Sequence, residues 1–289
     1  MINTKKKVPT GLLYKLGGVR SLRNWLPPIL FDFLAKFAGT RISVCGNFRS
    51  WEAAASLSRG YEAQDILERV RKATQLVVED RSKFERDGVL ISKKEFPYVL
   101  IAVLLDAAQR NGGKLSVMDF GGSLGSSYFQ CRDFLEPLDN LHWSVIEQAH
   151  FVDCGRAQFQ NGVLKFYRNI EECYQFENPN VVLFSSVLQY VEHVDIVLQD
   201  VTSRMPDTVI IDRTPFVNGY TRIAVQNVPK SIGKASYPIR LFAYEDLTKY
   251  FTSVYKLVAR FESPDPSIFY RGKLVTFEGI VFQKKKMKI

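Results

Sequence analysis

The run Leu115-Ser116-Val117-Met118-Asp119-Phe120-Gly121-Gly122-Ser123-Leu124-Gly125-Ser126-Ser127 reads as a short buried strand ending in an acidic residue, then a glycine turn, then a helix opening at about Ser126 or Ser127. Glycine lets backbone approach a ligand closely, or take a positive φ, without strain. A helix N-terminus straight after such a turn presents free N–H groups and the positive end of the helix dipole. Strand, turn and helix in this order make a nucleotide-cofactor pocket at the carboxyl end of the first strand of an α/β sheet. A plain packing turn would use the same glycines, so the neighbouring sequence has to decide.

The next element is His142-Trp143-Ser144-Val145-Ile146-Glu147, a second strand ending in a carboxylate. Glu147 falls about 20 residues beyond the glycine turn, where a ribose diol is held at the tip of the neighbouring strand. The dinucleotide fingerprint Gly-x-Gly-x-x-Gly is absent. Counted from Asp119, the turn is Asp-x-Gly-x-Ser-x-Gly. It resembles the Asp/Glu-x-Gly-x-Gly-x-Gly turn of Rossmann-like S-adenosylmethionine (SAM)-dependent methyltransferases, with Ser123 standing at the middle glycine.

With 289 residues, 46% of them hydrophobic, the chain has enough apolar material for one large domain with an appendage or for two small ones. No apolar run approaches the roughly 18 residues of a membrane span. Cys45, Cys131, Cys154 and Cys173 are scattered without paired spacing, so neither a metal site nor a disulfide framework is expected, and a cytoplasmic setting is. The net charge of +9 is concentrated at the ends: Lys5, Lys6, Lys7, Lys15, Arg20 and Arg23 at one, Lys284, Lys285, Lys286 and Lys288 at the other. These ten cations exceed the net charge, which leaves the body near neutral. Nucleic-acid recognition is therefore not expected. Basic ends suit peripheral contact with an anionic membrane surface, or simple solvation.

Along the chain, Trp25 to Phe37 reads as a proline-started amphipathic helix, Trp51-Glu52-Ala53-Ala54-Ala55 as a second and Ala63 to Val78 as a third. Residues 1–90 thus form a basic tail and a helical N-terminal cap, and 91–289 a Rossmann-like domain. In that domain Tyr98 to Gln109 is a helix leading into the first strand, and Phe151 to Gln158 follows the second. Val163 to Phe166 is a third strand, Asn180 to Ser186 a fourth and Thr208 to Asp212 a fifth, with a helix over Val194 to Arg204. Tyr244 to Phe251 is a helix, and Val254 to Phe261 and Lys273 to Gln283 are closing strands. Alternation of this kind predicts a mostly parallel sheet covered on both faces, with an antiparallel C-terminal hairpin at one edge.

Several ordered blocks are similar to a family of SAM-dependent methyltransferases often encoded among bacterial surface-polysaccharide biosynthesis genes. They are Ser50-Trp51-Glu52-Ala53 with Gly60-Tyr61, Phe84-Glu85-Arg86-Asp87, Asp119 to Gln130 and Val145-Ile146-Glu147-Gln148. Ser186-Val187-Leu188-Gln189-Tyr190, Ile211 to Phe216 and Lys234-Ala235-Ser236-Tyr237-Pro238 complete the set. The resemblance implies SAM as cofactor, held by Asp119, Gly121, Gly122, Ser123, Gly125, Glu147, Gln148, Ser185 and Gln189. It does not identify the methyl acceptor; the polar, cationic and aromatic groups of Arg213 to Leu241 suit a glycan, sugar-nucleotide or lipid-linked glycan.

Methyl transfer from a sulfonium is an in-line displacement in which the protein mainly aligns the partners, and a hydroxyl acceptor gains from a base within reach. The acceptor side is expected beyond the fourth and fifth strand tips. The candidate bases there are Asp212 first and His193 second, with Arg213 turned toward an anionic group of the acceptor. The bland readings are an Asp212–Arg213 ion pair and a solvated His193. The segment Arg213 to Leu241 is too long for a routine connection. It contributes Lys234 and Tyr237 as acceptor contacts, and Tyr190 joins them. A non-catalytic SAM-fold module in polysaccharide assembly is the alternative; a dehydrogenase or epimerase is disfavoured by the missing fingerprint.

Overall fold

The computed structural model describes residues 42–58, 63–86, 88–91, 96–228 and 235–286. The helix expected over Trp25 to Phe37, the basic N-terminal tail, Lys234 and Lys288 lie outside them. In chain order the elements are β1 (Ser43–Phe48), α1 (Trp51–Ala55), α2 (Ala63–Glu79), β2 (Phe84–Arg86), β3 (Val89–Ile91), α3 (Tyr98–Arg110), β4 (Lys114–Phe120), α4 (Ser126–Leu135), β5 (Asn140–Ile146), α5 (Ala149–Gln158) and β6 (Leu164–Tyr167). There follow α6 (Ile170–Phe176), β7 (Val181–Ser185), a 3₁₀ turn (Leu188–Tyr190), α7 (Val194–Arg204), β8 (Thr208–Phe216), β9 (Arg222–Asn227), β10 (Ser236–Leu241), α8 (Tyr244–Thr248), β11 (Tyr255–Glu262), β12 (Ile268–Tyr270) and β13 (Lys273–Lys284).

The main sheet runs β6-β5-β4-β7-β8-β13-β11, with β12 paired to β13. From β6 to β8 neighbouring strands are parallel; β13 is antiparallel to both β8 and β11. The fold is thus a mostly parallel Rossmann-like α/β sheet with an antiparallel C-terminal pair, as the sequence predicts. One detail differs: β13 is inserted between β8 and β11, which leaves β11 at the edge.

Two-residue alternation divides the sheet between two cores. Val117, Val145, Val181, Leu183 and Ile210 pack on one face with α2, α3, α4 and α5. Met118, Ile146, Val182, Phe184, Val209 and Ile211 pack on the other with α6, α7 and residues around α8. Strands buried on both faces read as the unbroken apolar runs that mark a parallel sheet. The chain goes outward from β4 through β5 to β6, then returns to the other side of β4 with β7. That reversal creates a crevice at the carboxyl ends of β4 and β7, where ligands of open α/β sheets bind.

The segment expected as a long connection holds strands instead. β9 pairs antiparallel with β10 and with β1, which belongs to the stretch expected to be helical. Val44, Ala224, Ile239 and Leu241 bury this small sheet against Ile268, Tyr270 and Val275. β1 carries Gly46 at φ 85 and an asparagine, so its local β signal is weak. Its partners lie nearly 200 residues away and supply the packing that its own sequence does not advertise.

Candidate active site

Gly121 takes φ 73, and a Cβ there would stand 2.3 Å from Val187 Cγ2. At Gly122 a Cβ would meet the Asp119 carboxyl at 2.6 Å. Gly125, at φ 95, caps α4. The glycines therefore do what the sequence reading assigns them: they bring backbone close to the β4 tip. Ser123 stands at φ 56, the left-handed region, which explains why a related turn would carry glycine at that position.

A cavity of about 280 Å³ opens beside this turn. Gly121, Gly122 and Ser123 form one wall, with Ser126, Ser127 and Gln130 from the start of α4. Ser185 and Ser186, at the tip of β7, and Asp212 and Arg213, in the middle of β8, form the opposite wall. Phe96 to Leu100 at the start of α3, Arg86, Phe261, Glu262 and Pro264 close it. Five non-glycine residues among those described have positive φ, and three of them, Ser123 (56), Ser186 (58) and Arg213 (56), line this one cavity. Left-handed backbone costs about 1–2 kcal/mol per residue, so strain is gathered at the ends of β4 and β7 and at the middle of β8. Strained backbone of this kind clusters at active sites and ligand clamps.

Asp119 is 1% exposed. Burial pushes its carboxyl up to about 7, against a hydrogen bond from Trp143 and with the Glu147 charge adding to the rise. Trp143 Nε1 donates to its Oδ2 at 3.2 Å, and Ser127 also bonds to it. Glu147, just past the β5 tip, is half-buried, and burial raises its carboxyl above the ordinary value against the backbone N–H groups of Gln148 and Ser123. Gln148 caps α5 and is exposed.

Asp212 is 6% exposed. Burial raises its carboxyl to about 6, opposed by the Arg213 charge and backbone N–H and reinforced by the Asp265 charge. Its Oδ1 has no hydrogen-bond partner among the described residues. The backbone explains its aim: Ile211 faces Ile280 and Thr214 faces Glu278, so β8 carries an extra residue opposite Gly279. Such a β-bulge at Asp212-Arg213 re-aims the side chains it carries. Gln189 is fully buried; its Nε2 donates to Ser186 Oγ at 3.2 Å and Arg213 O at 3.3 Å, and its Oε1 is also unfilled.

The other expected residues are distributed as follows. The guanidinium of Arg213 binds Asp265 in a two-pronged pair at 2.7 and 2.8 Å, not Asp212 and not an open subsite. His193 is exposed at the start of α7, away from the cavity lining. Tyr190 and Tyr237 meet edge to face with ring centroids 5.3 Å apart, joined through buried Gln226, which accepts from Tyr190 Oη at 3.3 Å and donates to Tyr237 Oη at 3.0 Å. Tyr190 ends the 3₁₀ turn and Tyr237 lies on β10 of the small sheet, and neither lines the cavity. The sequence reading did not single out Glu85, Arg86, Gln130 or Asp265. Glu85, 2% exposed, accepts from Ser126 Oγ and Gly88 N, and its carbonyl accepts from Gln130, which pins β2 to the start of α4. The quoted Phe84-Glu85-Arg86-Asp87 block was the only local signal for it.

No family model matches the chain, and no curated protein matches it in sequence. Among solved structures it is similar to the N-terminal domain of EvdMO1 in the presence of SAH and D-fucose, at 11% identity and TM-score 0.44, over 78% of this chain and 98% of that one. It is similar to SAM-bound CalS10, an amino pentose methyltransferase of Micromonospora echinaspora involved in calicheamicin biosynthesis (9%, TM-score 0.42, 66% and 92%). Magnesium protoporphyrin IX methyltransferase of Synechocystis PCC 6803 with bound SAM is a third (12%, TM-score 0.40, 92% and 97%). No helix of the described residues is long and apolar enough to cross a membrane.

Proposed function

We propose that the chain is a SAM-dependent methyltransferase that methylates a hydroxyl of a surface glycan or glycan precursor. The observation that carries this reading is the cavity at the reversal of strand order, with the glycine turn on one wall and Asp212, whose buried Oδ1 has no partner among the described residues, on the other. The residues fit the cofactor: side chains are missing where Gly121 and Gly122 expose backbone, and Glu147 offers a carboxylate at the neighbouring tip. Glu147 would accept from the ribose diol, and the start of α4 would lie against the cofactor's polar end. When bound, SAM supplies an electrophilic methyl group.

The chain's own part is alignment and proton removal. Asp212 lines the cavity, its buried Oδ1 has no hydrogen-bond partner among the described residues, and a carboxyl near 6 is ionised at neutral pH yet still basic enough to take a hydroxyl proton. Tyr190 and Tyr237 supply an aromatic surface suited to a sugar ring, with Lys234 as a further acceptor contact. The basic ends of the chain would hold it to an anionic membrane surface where lipid-linked glycans are assembled.

Thermal shift tests the cofactor: SAM or SAH should stabilise the protein and NAD should not. Transfer of labelled methyl from SAM to a cell-envelope glycan extract tests the reaction. Cofactor binding without transfer to any glycan fraction would favour the non-catalytic module instead. Deleting residues 1–24 and 284–288 should leave SAH binding intact and abolish co-sedimentation with anionic vesicles at low salt; a full-length chain that ignores such vesicles ends the membrane proposal.

A further inference from the structure

β7 and β8 run side by side as far as Ser185 and Asp212, and Ser186 N adds one more bond, to Asp212 O at 3.0 Å. On its other side β8 faces β13 at Ile211 and again at Thr214, with the bulge between. Ser186 and Arg213, which come next on the two sides, both take left-handed backbone, at φ 58 and 56. Neither is glycine, so each conformation has to be imposed by what surrounds it.

One side chain reaches both. Gln189, in the 3₁₀ turn that follows β7, is fully buried. Its Nε2 carries two protons; one goes to Ser186 Oγ at 3.2 Å and the other to Arg213 O at 3.3 Å. The amide therefore bridges the two left-handed residues. It does so from behind the cavity wall, because Ser186 and Arg213 line the cavity and Gln189 does not. Gln189 Oε1 has no partner among the described residues, a cost that an apolar side chain of the same size would not carry. The donor half of the amide is thus the part that this position uses.

We propose that Gln189 is a positioning residue and not a contact of the cofactor: its two donor protons hold Ser186 and Arg213 in left-handed backbone, and so fix the cavity wall that carries Asp212. The chemistry given to that wall rests on the methyltransferase reading; the bridge itself does not.

Glycine serves as the probe of backbone shape, in urea unfolding of the full chain. It takes left-handed backbone without strain, and alanine does not. Ser186→Gly should therefore exceed Ser186→Ala by about 5–30-fold in folded-to-unfolded ratio, and Arg213→Gly should exceed Arg213→Ala likewise. Each comparison cancels the lost side chain, since both members of a pair lack the serine hydroxyl or the guanidinium. With Gln189→Met added, the two residues are released, and both advantages should shrink to about twofold or less, the scatter of independent sites. A hydrogen bond that only added stability would lower both members of a pair alike and leave the advantage whole. An advantage missing without Gln189→Met, or undiminished with it, at either position overturns the proposal. If Gln189→Met does not fold, Gln189→Asn, whose amide is held back from Arg213 O by the shorter side chain, takes its place with the same expectation. SAH thermal shift, measured alongside, tests the cofactor reading separately: a wild-type chain that SAH does not stabilise ends that reading and leaves the comparison of glycine with alanine to decide the bridge.

Discussion

Asp119, near the carboxyl end of β4, and Asp212, in the middle of β8, belong to one sheet, both buried and both with carboxyls raised by that burial. They differ in what remains of their accepting capacity. Asp119 is bonded by Trp143 and Ser127 and packed against Gly122, so its tip is a closed structural joint. Asp212 keeps an oxygen without a partner and lines the cavity. A displaced pKa alone would nominate the two equally, and Asp119 slightly ahead. The acceptor atom without a partner separates them, because an acid whose oxygens are already bonded within the fold has little left to offer a substrate.

Exchange of each acid for its amide is the sharpest way to break this contrast. Asp212→Asn should lower methyl transfer by about 10²–10⁴-fold, the usual range for loss of a general base, with SAH affinity nearly unchanged. Asp119→Asn, measured at saturating SAM, should lose far less turnover, and equal losses in the two variants would erase the distinction. Should Asp212→Asn turn over normally while the exposed His193→Ala is dead, the runner-up base takes its place.

Stability gives the next largest effect. The folded-state value of Asp212, about 6 against 3.8, means that the native state binds the proton more tightly. The native state is therefore favoured below about pH 4 and loses that advantage as pH rises through 6. Asp212→Asn, neutral throughout, should be more stable than wild type above pH 6 by up to about 3 kcal/mol and show no such gain at pH 4. Urea unfolding at both pH values checks this. Glu147→Ala should weaken SAH by about 10–100-fold, the loss of one or two charge-assisted bonds, read by calorimetry. Smallest, Ser123→Gly should raise unfolding stability by at most about 1 kcal/mol by relieving the left-handed strain. A loss of stability there would mean that the Ser123 side chain contributes more than the strain removes.

Residues 114–216 were largely legible before any coordinates, because β4, β7 and β8 are buried on both faces and their apolar runs signal themselves locally. The glycine turn and Glu147 belong to the same continuous stretch. What escaped were contacts made at long range. β1, β9 and β10 form one small sheet from segments far apart in sequence. The partner of Arg213 lies on a loop between two strands that read as a simple hairpin, and nothing near Asp265 marks it. Ser123 looked like a blemish in the motif; its φ shows that the backbone shape is kept while the residue is not the one that shape prefers.

The place of β13 has a consequence for how the molecule is made. This strand, Lys273–Lys284, is the bridge between β8 and β11, so neither can complete its hydrogen bonding until β13 itself has been made. Pairings that close long loops are slow to form, and unpaired edges waiting for them are open to other chains. During synthesis β8 would leave the ribosome with one side uncovered, and β11 would follow with nothing beside it. Capture of the nascent chain by a chaperone is therefore expected to peak after β11 emerges and to fall once β13 is released.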